Sequence, residues 1–311
     1  MSTPPPPDND RRDANLTVLL RERRHLINLA YRLLGSLADA EDVAQEAYAR
    51  WFRMSREQQY AIESPGAWLT TVASRICLDH LGAARTRREH YVGEWIPEPV
   101  PELTEWMNGP PSNTADPADR VTLDESVNMA FLVVLESLRP AERVAFILHD
   151  VFRFSFAEVA GVVGRTPAAS RQLASSARRR IRASQTPATP TAQQLGIIRE
   201  FKEAWAAQDI EALMGLLDPD AIAIADGGGL VSAELSPIAG AKAIAQHYVH
   251  FASKAPDDVK ILVRTVNGRP GLIAQQDGVT LTVFAFDLAA DRIKHIWAVR
   301  NPEKLRQWSN R

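Results

Sequence analysis

Ser155-Phe156-Ala157-Glu158-Val159-Ala160-Gly161-Val162-Val163-Gly164, then Arg165-Thr166-Pro167-Ala168-Ala169-Ser170-Arg171, closing on Arg178-Arg179-Arg180-Ile181-Arg182, is the stretch on which the reading of this chain turns. Residues 165–182 carry six arginines and no acid, although the 311-residue chain has a formal net charge of −2. Ser155 and Glu158 have capping-box spacing, and Gly164 stands where a short apolar helix would stop. Thr166 then offers an N-cap and Pro167 a first helical position. Helix, glycine turn and basic helix form the layout of a helix-turn-helix, whose second helix enters a DNA major groove. A solvated basic helix is the alternative.

Working outward, the charge is unevenly spread. All six lysines (Lys202, Lys242, Lys254, Lys260, Lys294 and Lys304) follow residue 200, and the first 186 residues use only arginine. The chain is long enough for two or three domains. A single cysteine, Cys77, excludes an internal disulfide and fits a reducing compartment. No apolar run approaches the roughly 18 residues of a membrane span. The proline-rich start, residues 1–13, reads as a disordered tail.

Residues 14–90 are helical in pattern. Leu16, Leu19, Leu20, Leu26, Ile27, Ala30, Leu33 and Leu34 recur at helical spacing up to Gly35. A second helix is expected from Asp39 to Met54, with Val43, Ala47 and Trp51 on one face. Ser64-Pro65 opens a third, to about Arg88. Residues 91–120 hold six prolines, and also Trp95, Ile96, Leu103, Trp106 and Met107. Solvated linkers seldom spend two tryptophans, so this one is expected to dock on a surface. A second helical unit follows from about Thr122 to Arg182, with Pro140 opening one helix, and then a hinge around Thr186–Pro190. After an amphipathic helix pair broken at Asp209, strand-like alternation takes over at Ile222 and Ile224, 261–266, 272–275, 279–286 and 293–299. Turns at Asn267-Gly268, Asp277-Gly278 and 289–291 make the last third an α+β domain with a curved antiparallel sheet.

Two groups on the helices can carry chemistry. Asp39, Asp42, Gln45 and Glu46 gather on the polar side of the second helix, either as a docking face or as acids favoured by the helix dipole. Trp68, Thr71, Arg75, His80, Arg85, Arg87 and Arg88 interleave aromatic, hydroxyl and cationic groups, which suits melted single-stranded DNA; Trp68 could equally be core.

Together, Ala38-Asp39-Ala40-Glu41-Asp42-Val43-Ala44-Gln45-Glu46-Ala47, Ser64-Pro65-Gly66-Ala67-Trp68-Leu69 and the helix-turn-helix resemble an extracytoplasmic-function sigma factor of bacterial RNA polymerase. Trp95-Ile96-Pro97-Glu98-Pro99, Asp226-Gly227-Gly228-Gly229 and Asn301-Pro302-Glu303-Lys304-Leu305 resemble the signatures of the group with a fused SnoaL-like domain, of nuclear-transport-factor-like cone fold. Where that group often has lysine after the glycines, this chain has Leu230. The resemblance implies two all-α sigma domains plus an α+β cone: region 2 at 14–90, a linker at 91–120, region 4 at 121–184, a hinge at 185–192 and the SnoaL-like domain at 193–311.

It implies that Asp39, Asp42, Gln45 and Glu46 dock on core RNA polymerase, at the β′ clamp helices, with the β subunit a further contact. It implies that the third helix opens and reads the −10 element of promoter DNA. The −35 element would fall to Arg165, Thr166, Ala168, Ser170, Arg171, Gln172 and Ser175, with Arg178, Arg179, Arg180 and Arg182 mostly on phosphate. Trp95–Pro99 is expected near Asp226–Gly229 and Asn301–Leu305 as a regulatory contact. No catalytic residue, metal or cofactor, no membrane, no separate anti-sigma protein and a cytoplasmic location are expected. The cone fold also hosts isomerases with a buried aspartate base, so Asp226, His247, Asp277 and His295 are alternative pocket residues, His295 being expected to point into the cone with Ile293 and Trp297. A small ligand of this domain is a further expectation.

Overall fold

The computed structural model describes residues 22–88 (of 84–88 the backbone only), 91–101, 127–184 and 190–308. The expected tail, Leu103, Trp106, Met107 and most of the hinge lie outside the described residues. The described parts form two compact units that do not follow chain order.

The first unit joins the residues up to Ala83 to Arg139–Ala177. Its opening helices are α1 (22–34), α2 (Leu37–Arg53), α3 (Arg56–Tyr60) and α4 (Pro65–Arg88). Helix α2 begins two residues before the expected Asp39, because the Ser36 hydroxyl accepts the Asp39 N–H at 3.2 Å and sets the cap. Leu26, Leu29, Leu33, Val43, Ala47, Leu69, Ala73 and Cys77 are all fully buried, so the apolar stripes read from sequence form one core. Burial pushes the Cys77 thiol far above its ordinary range, which makes it inert.

Helix α5 (Met129–Glu136) comes next, then α6 (Pro140–Phe146), which runs into a π turn at Ile147–Val151. Helices α7 (Phe156–Val163) and α8 (Pro167–Ser184) complete the all-α part. Within the first unit these later helices pack on α1 and α4. The Arg143 guanidinium, 3% exposed, donates to Leu33 O at 2.9 Å. His25 meets the Phe152 ring edge-on at 5.2 Å.

Burial, with the Arg32 charge beside it, lowers the His25 pKa to about 4. A base whose folded pKa is depressed binds its proton only in the opened chain, so this contribution is intact at neutral pH and fades as pH falls from about 6.5 towards 4. The expected loss is about 2–3 kcal/mol by pH 4.5. Denaturant unfolding against pH checks this: His25→Gln should flatten the acid limb of the curve.

The second unit contains residues 190–308 together with 91–101, α5 and the end of α8. Helices α9 (Thr191–Ala206) and α10 (Ile210–Leu216) lead into β1 (Leu217–Asp226), a short β2 (Ile238–Ala239) and α11 (Ala241–Lys254). The strands β3 (Lys260–Val266), β4 (Arg269–Gln276), β5 (Val279–Ala289) and β6 (Arg292–Val299) follow as a meander. Asn267-Gly268 (φ 50° and 74°) and Asp277-Gly278 (φ 50° and 79°) close its first two hairpins.

The sheet order is β2-β1-β6-β5-β4-β3, antiparallel except where β1 runs parallel to β6. The wholly antiparallel sheet expected from the hairpins is therefore corrected at one pair: after α11 the meander returns to β1 from the same end. Register shifts in β1, β4 and β5 supply the curvature. One face of the sheet packs on α9 and α11 through Phe201, Trp205, Tyr248, Phe284, Phe286 and Ile296. The other carries Val283, Trp297 and Val299 against Ile96, Met129, Leu305 and Trp308.

Candidate functional site

The helix-turn-helix is built from the local signals that announced it. Ser155 Oγ accepts the Glu158 N–H at 3.3 Å, and Glu158 accepts the Ser155 N–H at 2.7 Å. Gly164 ends α7 in the left-handed region, and Thr166 Oγ1 caps α8 by accepting the Ala169 N–H at 3.2 Å. Arg165, Thr166, Ala168, Arg171, Gln172, Ser175, Arg179, Arg180 and Arg182 are exposed, and Arg178 is half-buried. The Arg171 guanidinium lies over the Phe156 ring at 5.3 Å, which braces it at the start of the helix. Arg180 reaches Ser137 O at 3.3 Å.

Ser170 corrects one expectation. It is fully buried, donates to Thr166 O at 3.1 Å, and continues along the inner stripe of Ala174, Ala177 and Ile181. A hydroxyl facing the core cannot read a base edge.

On α2, Asp42 and Gln45 face outward and Asp39 is half-buried. Glu46 accepts from Arg50 Nε at 2.8 Å, and that bond holds its carboxyl below the usual range. On α4, Trp68 is half-buried and meets Trp51 edge-on at 5.3 Å, so it is partly core. Thr71 donates back to Ala67 O at 2.9 Å. Arg75 is exposed and donates to Gly161 O, on α7, at 2.8 Å. His80 has a buried Nδ1 with no partner among the described residues. The side chains of Arg85, Arg87 and Arg88 lie outside the described residues.

The three remaining signatures converge within the second unit. Asp226, 1% exposed at the end of β1, accepts four hydrogen bonds. They come from Tyr91 Oη at 2.6 Å, the Ile96 N–H at 3.0 Å, the Gly228 N–H at 3.0 Å and Lys304 Nζ at 2.6 Å. Lys304 also donates to Ile96 O at 2.5 Å and sits over the Trp95 ring at 4.2 Å. Asn301 Nδ2 donates to Tyr91 Oη at 3.0 Å. Burial, reinforced by Asp226, keeps the Tyr91 phenol neutral well above its ordinary range.

Gly228 is required here. Its φ is 63°, and a Cβ would stand 2.2 Å from Asn301 Nδ2. Gly229, next to it, lies against Val92, and Gly227 against the carbonyl of Val231. Pro97, Glu98 and Pro99 are buried as well, and Trp308 Nε1 donates to Pro99 O at 2.8 Å. Asn267 clasps the same segment: its N–H meets Val100 O at 2.9 Å, its Oδ1 accepts the Val100 N–H at 3.1 Å, and its Nδ2 donates to Val127 O at 2.9 Å. Pro302 and Glu303 are exposed beside this cluster, while Leu305 is buried in it.

Tyr91, Asn267, Met129 and Trp308 belong to this cluster, and the sequence reading missed them.

The alternative catalytic set is not assembled. Asp226 is spent on the linker, and Asp277 is in a hairpin turn. His295, expected inside the cone, stacks on Trp297 at 5.4 Å and so lies on the linker-facing side of the sheet, with Asp287 at 3.3 Å. The alternation with Ile293 fails as well: a register shift between Asp287 and Leu288 separates His295 from Ile293, and Ile293 packs on the helix side with Ile296. His247 alone of the four lines the interior cavity. Among the described residues there is no cluster of three or more metal-ligating side chains, and no helix long and apolar enough to cross a membrane.

The Sigma-70 region 2 family matches residues 19–87, and the Sigma-70 region 4 family matches residues 128–181. The ECF RNA polymerase sigma factor SigJ of Mycobacterium tuberculosis is 35% identical, over 91% of this chain and 90% of that protein. The probable ECF RNA polymerase sigma factor SigI of the same species is 34% identical, over 91% of this chain and 92% of its own length. The crystal structure of M. tuberculosis SigJ superposes with a TM-score of 0.70 at 33% identity, over 91% of this chain and 95% of that one.

Proposed function

This chain belongs to the extracytoplasmic-function (ECF) sigma factors of RNA polymerase, and from that premise we propose how its surfaces divide the work of initiation. It is a transcription initiation factor that binds core RNA polymerase and directs it to promoter DNA. Asp39, Asp42, Gln45 and Glu46 serve as the polymerase-docking face. The α4 set from Trp68 to Arg88 serves the −10 element. The outward residues of α8 serve the −35 element, Ser170 excepted. Regulation falls to the fused domain acting in place of a separate anti-sigma protein, in the cytoplasm and without catalysis of its own.

The observation that carries the regulatory reading is the fourfold-bonded Asp226. One carboxylate of the C-terminal domain holds the backbone and side chains of the segment joining the two sigma regions. That contact decides how far region 4 can travel from region 2. The test is transcription in vitro with core polymerase on a promoter library, comparing the full chain with its Asp226→Asn form. A change in the amount or choice of specific transcripts supports the reading, and identical transcripts overturn it.

Two arginines of α8 test the division of labour at the −35 element. Arg171→Ala should weaken binding there by about 1–3 kcal/mol and relax sequence preference, because it removes a base-edge contact. Arg179→Ala should weaken binding to every sequence and lower the salt slope by about one. Binding titrations at several salt concentrations, on matched and scrambled −35 elements, separate the two.

A further inference from the structure

Between α11 and the inner face of the sheet lies a cavity of about 300 Å³, within the size range of small-molecule sites. One wall is aromatic: Trp205 meets Tyr248 at 5.0 Å and Phe284 at 5.4 Å, all at steep angles, and Phe251 closes the side. The lining also holds two cations, Arg300 and Lys254, and the imidazoles of His247 and His250, against a single acid, Glu234. An aromatic slot with cations in its lining fits a molecule with an apolar body and one negative group.

Arg300 narrows this further. Its Nη1 donates to Ser232 O, and its guanidinium lies over the Phe251 ring at 5.4 Å. Its Nε is buried and has no partner among the described residues. With Nη1 engaged and Nε buried, the charge of the guanidinium and its Nη2 are what Arg300 offers a ligand in the cavity.

The cavity also shares a loop with the Asp226 contact. Residues 227–235 turn Ser232, Ala233 and Glu234 into the cavity and Gly228 and Gly229 onto Asn301 and Val92. The backbone N–H groups of Arg300 and Asn301 both donate to Asp226 O, at 2.7 and 2.9 Å. A ligand on the Arg300 guanidinium therefore ties α11, the loop and the end of β6 together directly behind the linker's anchor.

We propose that the C-terminal cavity binds a small apolar carboxylate, aryl or alkyl, through the guanidinium of Arg300, and that binding tightens the hold on the 91–101 segment. The proposal deepens the regulatory reading and rests on it only for its second half. The ligand's carboxylate pairs with Arg300, its body fills the slot beside Trp205 and Phe251, and the loop 227–235 loses freedom.

The test uses the full chain without polymerase, so its outcome is independent of promoter activity. The probes are 1-naphthylacetate and octanoate, each paired with its neutral amide. Calorimetric titration should show saturable binding of at least one acid, at least about tenfold tighter than its amide, the ratio of about 1.4 kcal/mol that a charged partner supplies. Arg300→Leu should erase that ratio, and Lys260→Met, exposed on β3 and outside the cavity, should leave it. Amide exchange at Ile96 should slow when the acid is bound. Absence of binding by both acids up to millimolar concentration, or equal binding of acid and amide, overturns the site. Binding with unchanged exchange at Ile96 overturns the coupling and leaves the sigma reading intact.

Discussion

Asp226→Ala is expected to destabilise the second unit by about 3–5 kcal/mol, the cost of breaking a buried ion pair from one side. The substitution removes the acceptor of four hydrogen bonds and strands the Lys304 ammonium, which is 8% exposed. Lys304 keeps Ile96 O and the faces of Trp95 and Tyr91. The damage should be local. Amide exchange should accelerate at Ile96 and Gly228, which lose their acceptor, and less at Val100, which Asn267 still holds.

Asp226→Asn combined with Lys304→Met should recover a large part of the loss, because neither member of the pair is left charged without the other. Denaturant midpoints of the single and double variants give the coupling between the two residues. A double variant as unstable as the sum of its singles would mean that the pair does not act as a unit. In transcription, the single variant should show the factor freed from its C-terminal domain.

What was legible in the sequence depended on the range of the interaction. Ser155 with Glu158, Gly164 and Thr166-Pro167 act within one turn of helix, so their spacing sufficed to place the helix-turn-helix. Asn267-Gly268 and Asp277-Gly278 likewise demand positive φ and mark hairpins unaided. Facing was harder. Helical periodicity put Ser170 on the basic helix, but the core chose its side, and strand alternation paired His295 with Trp297 without saying which face was inside. The parallel β1–β6 pair depends on where a long meander returns. Tyr91 and Asn267 serve partners more than 130 positions away and have no periodic pattern. The three signatures could be gathered only through a family resemblance; that one aspartate joins them came from the fold.

Holding region 4 against region 2 by a cross-link is expected to reduce specific initiation about 10³-fold, the low end of the gap between specific and non-specific DNA binding. In the first unit Arg75 of α4 touches Gly161 of α7, while Arg143 is buried against the end of α1. By their names the two promoter elements lie about 25 base pairs apart, or roughly 85 Å of duplex at 3.4 Å per base pair. With α4 and α8 serving those elements as proposed above, the two cannot be occupied while this contact holds, so the unit is expected to open when the factor engages polymerase and promoter.

Opening takes Arg143 from an environment that already disfavours its charge, since burial lowers its pKa to about 9. The experiment introduces Arg75→Cys with Gly161→Cys and joins the pair with a short bis-maleimide; Cys77, fully buried, does not compete. The uncross-linked double variant is the reference, so any loss of the Arg75 contact itself cancels. A cross-linked factor that still selects promoters through both elements would show that opening is not required. Arg143→Ala approaches the same equilibrium from the other side: if closure dominates the free chain, weakening it by about 2 kcal/mol should tighten apparent core binding up to about 30-fold.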